Sequence, residues 1–194
     1  MNLLVLGPQG AGKGTQAKRI SKEYGIPHVS TGDMFRAAIA ARTELGRKVE
    51  PLLANGVLVP DEVTTALIRE RLSEDDARDG FVLDGFPRNL AQADALDEML
   101  GGIDRELDAI LFFDIADDVG MDRALGRARS EGRVDDTPDV IARRLATYHS
   151  ETEPIVEHYR MTGKLVPLHA GRTVEEVWTE ISSALQQLGE DEAA

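Results

Sequence analysis

The sequence predicts an α/β fold, a parallel β-sheet flanked by helices, and three observations carry that prediction. Short apolar runs alternate with amphipathic stretches, the pattern of parallel strands joined by helical crossovers. The first of those runs ends in a glycine-rich loop that opens directly into a helical stretch. Finally, 42% apolar residues in a chain of 194 are enough to fill one sizeable core, which argues against a disordered chain.

In chain order, Leu3–Leu6 reads as the first strand, apolar at every position and so buried on both faces. Pro27–Val29 is a weaker second candidate, Phe81–Leu83 and Ala109–Ile115 are two more, and Leu165–Leu168 completes the series. Helices between them have recognisable starts. Thr137 precedes Pro138, whose fixed φ suits a first helical position, and Thr173 stands three residues before Glu176 as a capping box. Two stretches break the alternation. Ser30 to Val59 looks helical without a strand, and Gly126 to Val134 is polar and contains glycine; both are candidate mobile elements over a binding crevice. The acidic end from Gly189 to Ala194 reads as frayed. No internal repeat or low-complexity linker divides the chain, so a single domain over 1–194 is expected.

Charge narrows the function classes. Twenty-two Lys and Arg stand against 35 Asp and Glu, a formal net charge of −13, so the chain as a whole repels nucleic acid and anionic membrane surfaces. Cysteine is absent, which excludes disulfides, thiolate zinc sites and a cysteine nucleophile. No apolar run approaches the ~20 residues of a membrane span, and Leu3–Leu6 lacks a basic flank. A soluble cytoplasmic protein is expected, with no nucleic-acid or membrane partner. Of the 22 basic residues, 17 are Arg. The planar guanidinium grips phosphate through two parallel bonds, so this excess points to local anion sites; a general compositional preference would give the same ratio.

Leu3–Leu6 runs into Gly7-Pro8-Gln9-Gly10-Ala11-Gly12-Lys13-Gly14-Thr15 and then into the helical stretch from Gln16 to Tyr24. Glycines let backbone N–H groups turn inward around phosphate oxygens, the helix N-terminus adds its positive end, and Lys13 brings a compact charge to the outer phosphates. The usual pattern has a hydroxyl straight after the Lys; here Gly14 intervenes and the hydroxyl arrives at Thr15. Gly10, Ala11, Gly12, Lys13, Gly14 and Thr15 are therefore the expected triphosphate-binding residues of a P-loop core. The plain alternative is a glycine-rich turn with no ligand.

The loop resembles that of adenylate kinases, whose form is Gly-Lys-Gly-Thr, and further motifs follow in that family's order. Ser30-Thr31-Gly32-Asp33-Met34-Phe35-Arg36 resembles its nucleoside-monophosphate segment, and Gly56-Val57-Leu58-Val59-Pro60-Asp61 the end of it. Asp84-Gly85-Phe86-Pro87-Arg88 resembles the signature after the central strand, and Gln92, Arg123, Gly126-Arg127, Arg133-Val134-Asp135-Asp136 and Arg144 continue the match. The likeness spans Met1 to about Trp178. It implies a core over 1–29, 60–125 and 135–194, a helical nucleoside-monophosphate-binding insertion over 30–59 and a short lid over 126–134. It also implies a monomer acting on ATP, AMP and ADP, with Mg2+ carried by ATP. Many members have a longer insertion at the lid, sometimes held by zinc on cysteines; nine residues without cysteine leave no zinc here.

The resemblance further implies that the loop and Lys13 hold the donor triphosphate, while Arg36, Arg88, Arg123, Arg127, Arg133 and Arg144 close on the transferred group and the acceptor phosphate. Thr31, Gln92 and the chain at Val57 and Val59 would surround the acceptor base, which Gly85 lets approach. Arg127 would stack on the donor base, and the chain near Arg172 would offer it carbonyls. Asp84 follows a strand like a Walker-B carboxylate and would hold Mg2+ through water rather than as a direct ligand. Local charge agrees, because six Arg between Arg123 and Arg144 face only Glu131, Asp135, Asp136 and Asp139. Each residue also has a plainer reading: the Arg as surface partners of nearby carboxylates, Thr31 as a helix cap, Gln92 as a polar helix residue, Asp84 as a turn former. A phosphate acceptor needs no general base, so His28, His149, His158 and His169 read as structural or surface residues. Rival functions are a UMP or CMP kinase, a small-metabolite kinase with Asp33 or Asp84 as base, and a P-loop nucleotide-dependent switch. The last lacks an Asn-Lys-x-Asp motif to read guanine.

Overall fold

The computed structural model describes residues 1–131 and 136–191, and its architecture is the expected α/β one. Strands β1 (Asn2–Leu6), β2 (His28–Ser30), β3 (Phe81–Asp84), β4 (Ala109–Asp114) and β5 (Leu165–His169) form one parallel sheet in the order β2-β3-β1-β4-β5. Parallel neighbours need crossovers, and these are helical: α1 (Lys13–Tyr24), α2 (Thr31–Ala40), α3 (Glu44–Ala54), α4 (Asp61–Leu72), α5 (Leu90–Gly101), α6 (Asp117–Glu131), α7 (Pro138–Thr147), α8 (Glu153–Arg160) and α9 (Val174–Asp191). Thr137 caps α7 by accepting from the Val140 N–H, and Thr173 and Glu176 exchange both bonds of a capping box at α9. Among the described residues no helix is long and apolar enough to cross a membrane.

Two boundaries differ from the sequence reading. α6 runs to Glu131, so the stretch from Gly126 begins as helix rather than loop. One mid-helix glycine costs about 1 kcal/mol relative to Ala, too little to end a helix of 15 residues. Gly132, Arg133, Val134 and Asp135 lie outside the described residues. At the other end α9 continues to Asp191, so Gly189 to Asp191 are helical rather than frayed. The apolar stripe of Val177, Ile181, Leu185 and Leu188 holds this helix against the sheet almost to its last turn.

Alternation along the strands divides the core in two. Leu4, Leu6, Leu83 and Ile110 pack with Ile68 of α4, Leu96 of α5 and Ile155 and Tyr159 of α8. Leu3, Val5, Val82 and Leu111 face Ile20 of α1 and Val177 and Ile181 of α9. Each fully buried Leu or Ile contributes roughly 1.5–3 kcal/mol. The helical insertion has a small cluster of its own, Phe35, Val49 and Val59 with Ile39 and Leu67 around them. The outer edge of β5 is closed. Lys164 and Ala170 bond inward to β4, so alternation turns Pro167 outward, where it has no N–H to offer. The outward N–H of His169 donates to Glu180 of α9 at 2.9 Å.

Register sets the position of the site. Asp84 is level with Val5 on one side and Ser30 on the other, so β1, β2 and β3 end side by side and the segments leaving them share one crevice. α2 and α3 meet at Gly46, where a methyl group would lie 2.1 Å from the Ala38 carbonyl oxygen and 2.7 Å from the Ile39 nitrogen. Both are backbone atoms that cannot swing aside. Gly46→Ala is expected to cost about 1–3 kcal/mol through overpacking, read as a lower urea midpoint; an unchanged midpoint would mean that the two helices separate freely.

Candidate active site

A cavity of about 810 Å3 opens over the carboxyl ends of the strands, within the usual size of a nucleotide-sized pocket. The loop after β1 forms its floor. Gly7, Gly10 and Gly12 all have positive φ, which lets the chain wind tightly there, and a side chain on Gly10 would strike the Gly120 carbonyl of α6. Among the described residues no side chain caps α1, which begins at Lys13, and its N-terminus borders the cavity. The Lys13 ammonium donates to the Gly7 and Pro8 carbonyls at 2.7 and 2.8 Å.

The opposite wall is built on the exit of β3. Gly85 accepts at its carbonyl from Thr31 Oγ1 (2.9 Å) and from Arg88 Nε (2.8 Å). The Arg88 N–H donates to Gln92 Oε1, whose amide nitrogen in turn donates to Asp61, while Thr152 Oγ1 donates to the Arg88 carbonyl. Thr152 ends a π-helical turn, Tyr148–Thr152, between α7 and α8; such turns are rare and recur at functional sites. Arg36 donates to Asp33 at 2.6 Å. Val57 borders the cavity exposed, whereas the Val59 side chain is buried in the insertion's own cluster.

Toward α6 and α9 the remaining arginines separate into two groups. Arg123 donates to the carbonyls of Ala170, Gly171 and Arg172, and Arg172 itself donates to Glu180. Arg127 and Arg144 instead share Asp136, a carboxylate with no exposed side-chain surface, at 2.8 and 2.7 Å.

Comparison with known proteins now decides between the nucleotide-binding readings. The family model described as adenylate kinase matches residues 5–164. The adenylate kinase of Xanthomonas euvesicatoria pv. vesicatoria (strain 85-10) is 45% identical over 185 residues, covering 95% of this chain and 99% of that one. That of Thermobifida fusca (strain YX) is 46% identical over 186 residues (96% and 98%), and that of Bifidobacterium longum (strain NCC 2705) 44% over 186 (96% and 100%). The chain belongs to the adenylate kinase family. It is a phosphotransferase, and its reaction is the reversible transfer of a phosphoryl group from ATP to AMP, giving two ADP.

Set against the adenylate kinase pattern, one cavity brings together the loop from Gly10 to Thr15, Thr31, Arg36, Val57, Val59, Asp84, Gly85, Arg88, Gln92, Arg123, Arg127, Arg144 and Arg172. Arg133 lies outside the described residues. His28, which the sequence reads as structural or surface, stands at the site: its Nε2 lies 3.4 Å from Asp84 Oδ2 within the cavity wall. No spacing in the sequence marks that contact, because it depends on β2 and β3 being neighbours.

Burial would raise the Asp84 carboxyl, but the His28 hydrogen bond and the charges of Lys13 and Arg88 outweigh it and hold the group below its ordinary value. Asp84 is thus an ionised carboxylate beside the loop. Among the described residues no group of three or more His, Cys, Asp or Glu could hold a metal, so a bound cation would have to bring most of its own oxygen ligands.

Burial also lowers the Lys13 ammonium to about 8, with Asp84 opposing and Arg88 and Arg127 assisting. A phosphate at Nζ favours the charged form and so raises this value again. ATP binding should therefore take up a proton above pH 8, and ATP affinity should fall by up to about tenfold per pH unit from there. Calorimetry at pH 9 in buffers of different ionisation enthalpy should record the uptake for the native chain and not for Lys13→Met; equal uptake in both would assign it to another group.

Proposed function

We propose that the cleft holds two nucleotides with their phosphates facing, the donor triphosphate on the loop from Gly10 to Thr15 and the acceptor monophosphate on the Arg88 side. The observation that supports this reading is the gathering of Lys13, Arg36, Arg88, Arg127 and Arg144 around one cavity in a chain of net charge −13. So many cations suit two phosphorylated ligands better than one. Lys13 and Arg127 would neutralise the donor phosphates, and Arg36, Arg88 and Arg144 the acceptor phosphate and the group in transit. Arg133 joins them on sequence grounds alone. Arg123, engaged with three carbonyls at the start of the turn into α9, suits a wall for the donor base beside Arg172 rather than a contact to the moving phosphoryl group. Thr31, Gly85, Gln92, Val57 and Val59 would border the acceptor base, with Gln92 also fixing the Arg88 backbone. Asp84 would hold Mg2+ of the triphosphate through water, and that ion, when bound, offsets charge on the phosphate oxygens.

The attacking atom is already an ionised phosphate oxygen, so no side chain has to remove a proton. Catalysis then consists of alignment, charge neutralisation and exclusion of water. In this reading the insertion 30–59 and the segment 126–134 close over the two ligands, the ions travel with ATP, and the chain works as a cytoplasmic monomer.

A panel of AMP, GMP, CMP, UMP and shikimate with Mg-ATP tests the acceptor: AMP should be the best substrate and shikimate should give no product. Preference for UMP or CMP would reassign the acceptor side. Arg88→Ala should weaken AMP binding roughly 10- to 150-fold, a loss of about 1.5–3 kcal/mol, and leave ATP binding near its native value. Separate calorimetric titrations check this, and unchanged AMP affinity with unchanged turnover would remove Arg88 from the site.

A further inference from the structure

We propose that Gln9 is a positioning residue that couples the donor loop to the acceptor side through the buried carboxylate of Asp136. Asp136 Oδ1 accepts from Gln9 Nε2 at 2.8 Å and from Arg144 Nη1 at 2.7 Å, and its Oδ2 accepts from Arg127 Nη2 at 2.8 Å. One carboxylate thus joins the phosphate loop, α6 and α7. Arg144 extends the connection, because its Nη2 donates to the Leu53 carbonyl at 3.1 Å, at the end of α3 in the acceptor insertion. The chain from loop to insertion is Gln9, Asp136, Arg144, Leu53, every link a hydrogen bond.

Two buried atoms around this carboxylate have no partner among the described residues: Gln9 Oε1, an acceptor, and Arg127 Nε, a donor. Ionised phosphate oxygens accept hydrogen bonds and do not donate them, so of these two atoms the incoming donor phosphates answer the Arg127 Nε–H. As they draw Arg127 from Oδ2, Asp136 keeps its two ligands on Oδ1, and Gln9 and Arg144 then share a single oxygen. A loop ordered by ATP holds that oxygen still, and with it the arginine that serves AMP. A neutral amide suits this role because it bonds the carboxylate without adding charge where Lys13, Arg88 and Arg127 already repel. The effect is reciprocal, since AMP must improve ATP binding by the factor with which ATP improves AMP binding.

This inference rests on the two-nucleotide reading, and one set of titrations separates them. AMP affinity is measured by calorimetry without and with saturating β,γ-imido-ATP, for the native chain, for Gln9→Leu, which keeps the bulk and removes the amide, and for Gln9→Glu, which keeps the length and repels Asp136. The native chain should bind AMP at least about fivefold tighter with the analogue. Both variants, shown folded by circular dichroism, should bind each nucleotide alone within about threefold of native and lose the enhancement to under about twofold. An enhancement retained in either folded variant, or absent from the native chain, overturns the proposal. So does a variant that loses tenfold in affinity for the analogue alone with its enhancement intact, which would make Gln9 a phosphate ligand. A native chain that binds only one of the two nucleotides instead refutes the two-nucleotide reading itself.

Discussion

Mutual repulsion among the cations of the cleft is the constraint around which the molecule is arranged. Five or more positive groups face one cavity, and each must have an oxygen partner before any phosphate arrives. Lys13 rests on the Gly7 and Pro8 carbonyls and Arg88 on that of Gly85, whereas Arg36 pairs with Asp33, and Arg127 and Arg144 share Asp136. A carbonyl can surrender its cation to a phosphate and leave no bare charge behind. A carboxylate cannot do so as cheaply, and Asp136, the buried carboxylate that Arg127 and Arg144 share, accepts from Gln9 as well.

The fold serves this arrangement with a fixed half and a softer half. α1 is fastened to α9 by Arg19, which lies over the Trp178 ring and pairs with Glu175, and by Gln16, whose amide donates to the Val174 carbonyl. The donor loop therefore stands on two helices locked to the sheet. The acceptor insertion rests mainly on its small cluster around Phe35, Val49 and Val59, with Met34 its contact to the larger core. Among the described residues, the buried side-chain atoms without a protein partner, on Gln9, Gln16 and Arg127, belong to residues that line the cleft.

How much of this was legible in the sequence follows from the range of the forces involved. The strands were readable because parallel strands buried on both faces are unbroken apolar runs, and the loop because glycine, lysine and a helix start are adjacent. Thr137 with Pro138, and Thr173 with Glu176, announced helices through contacts three residues long. The residues gathered in the cavity could be named from their order along the chain. What stayed hidden depends on distant partners: the His28 contact with Asp84 needs the β2–β3 register, the support of Arg88 by Thr152 needs a π-helical turn, and the separation of Arg123 from Arg127 needs the turn after β5, Ala170 to Arg172, to lie beside α6. The extent of α6 and α9 was misjudged because Gly126 and Gly189 were given too much weight: a mid-helix glycine costs too little to end α6, and the apolar stripe of α9 outweighs Gly189.

Pro167 and Glu180 also govern how copies of the chain meet one another. A strand from a second molecule can join a sheet only where successive outward N–H and C=O groups are available in register. On β5 the proline removes one donor and Glu180 occupies the next, so an approaching strand finds no regular ladder to extend. At the opposite edge β2 has only three residues, too short to template a partner. Crowded molecules therefore meet mainly through helical surfaces, where a shared excess of negative charge keeps them apart, and the enzyme can accumulate without its sheets adding to one another.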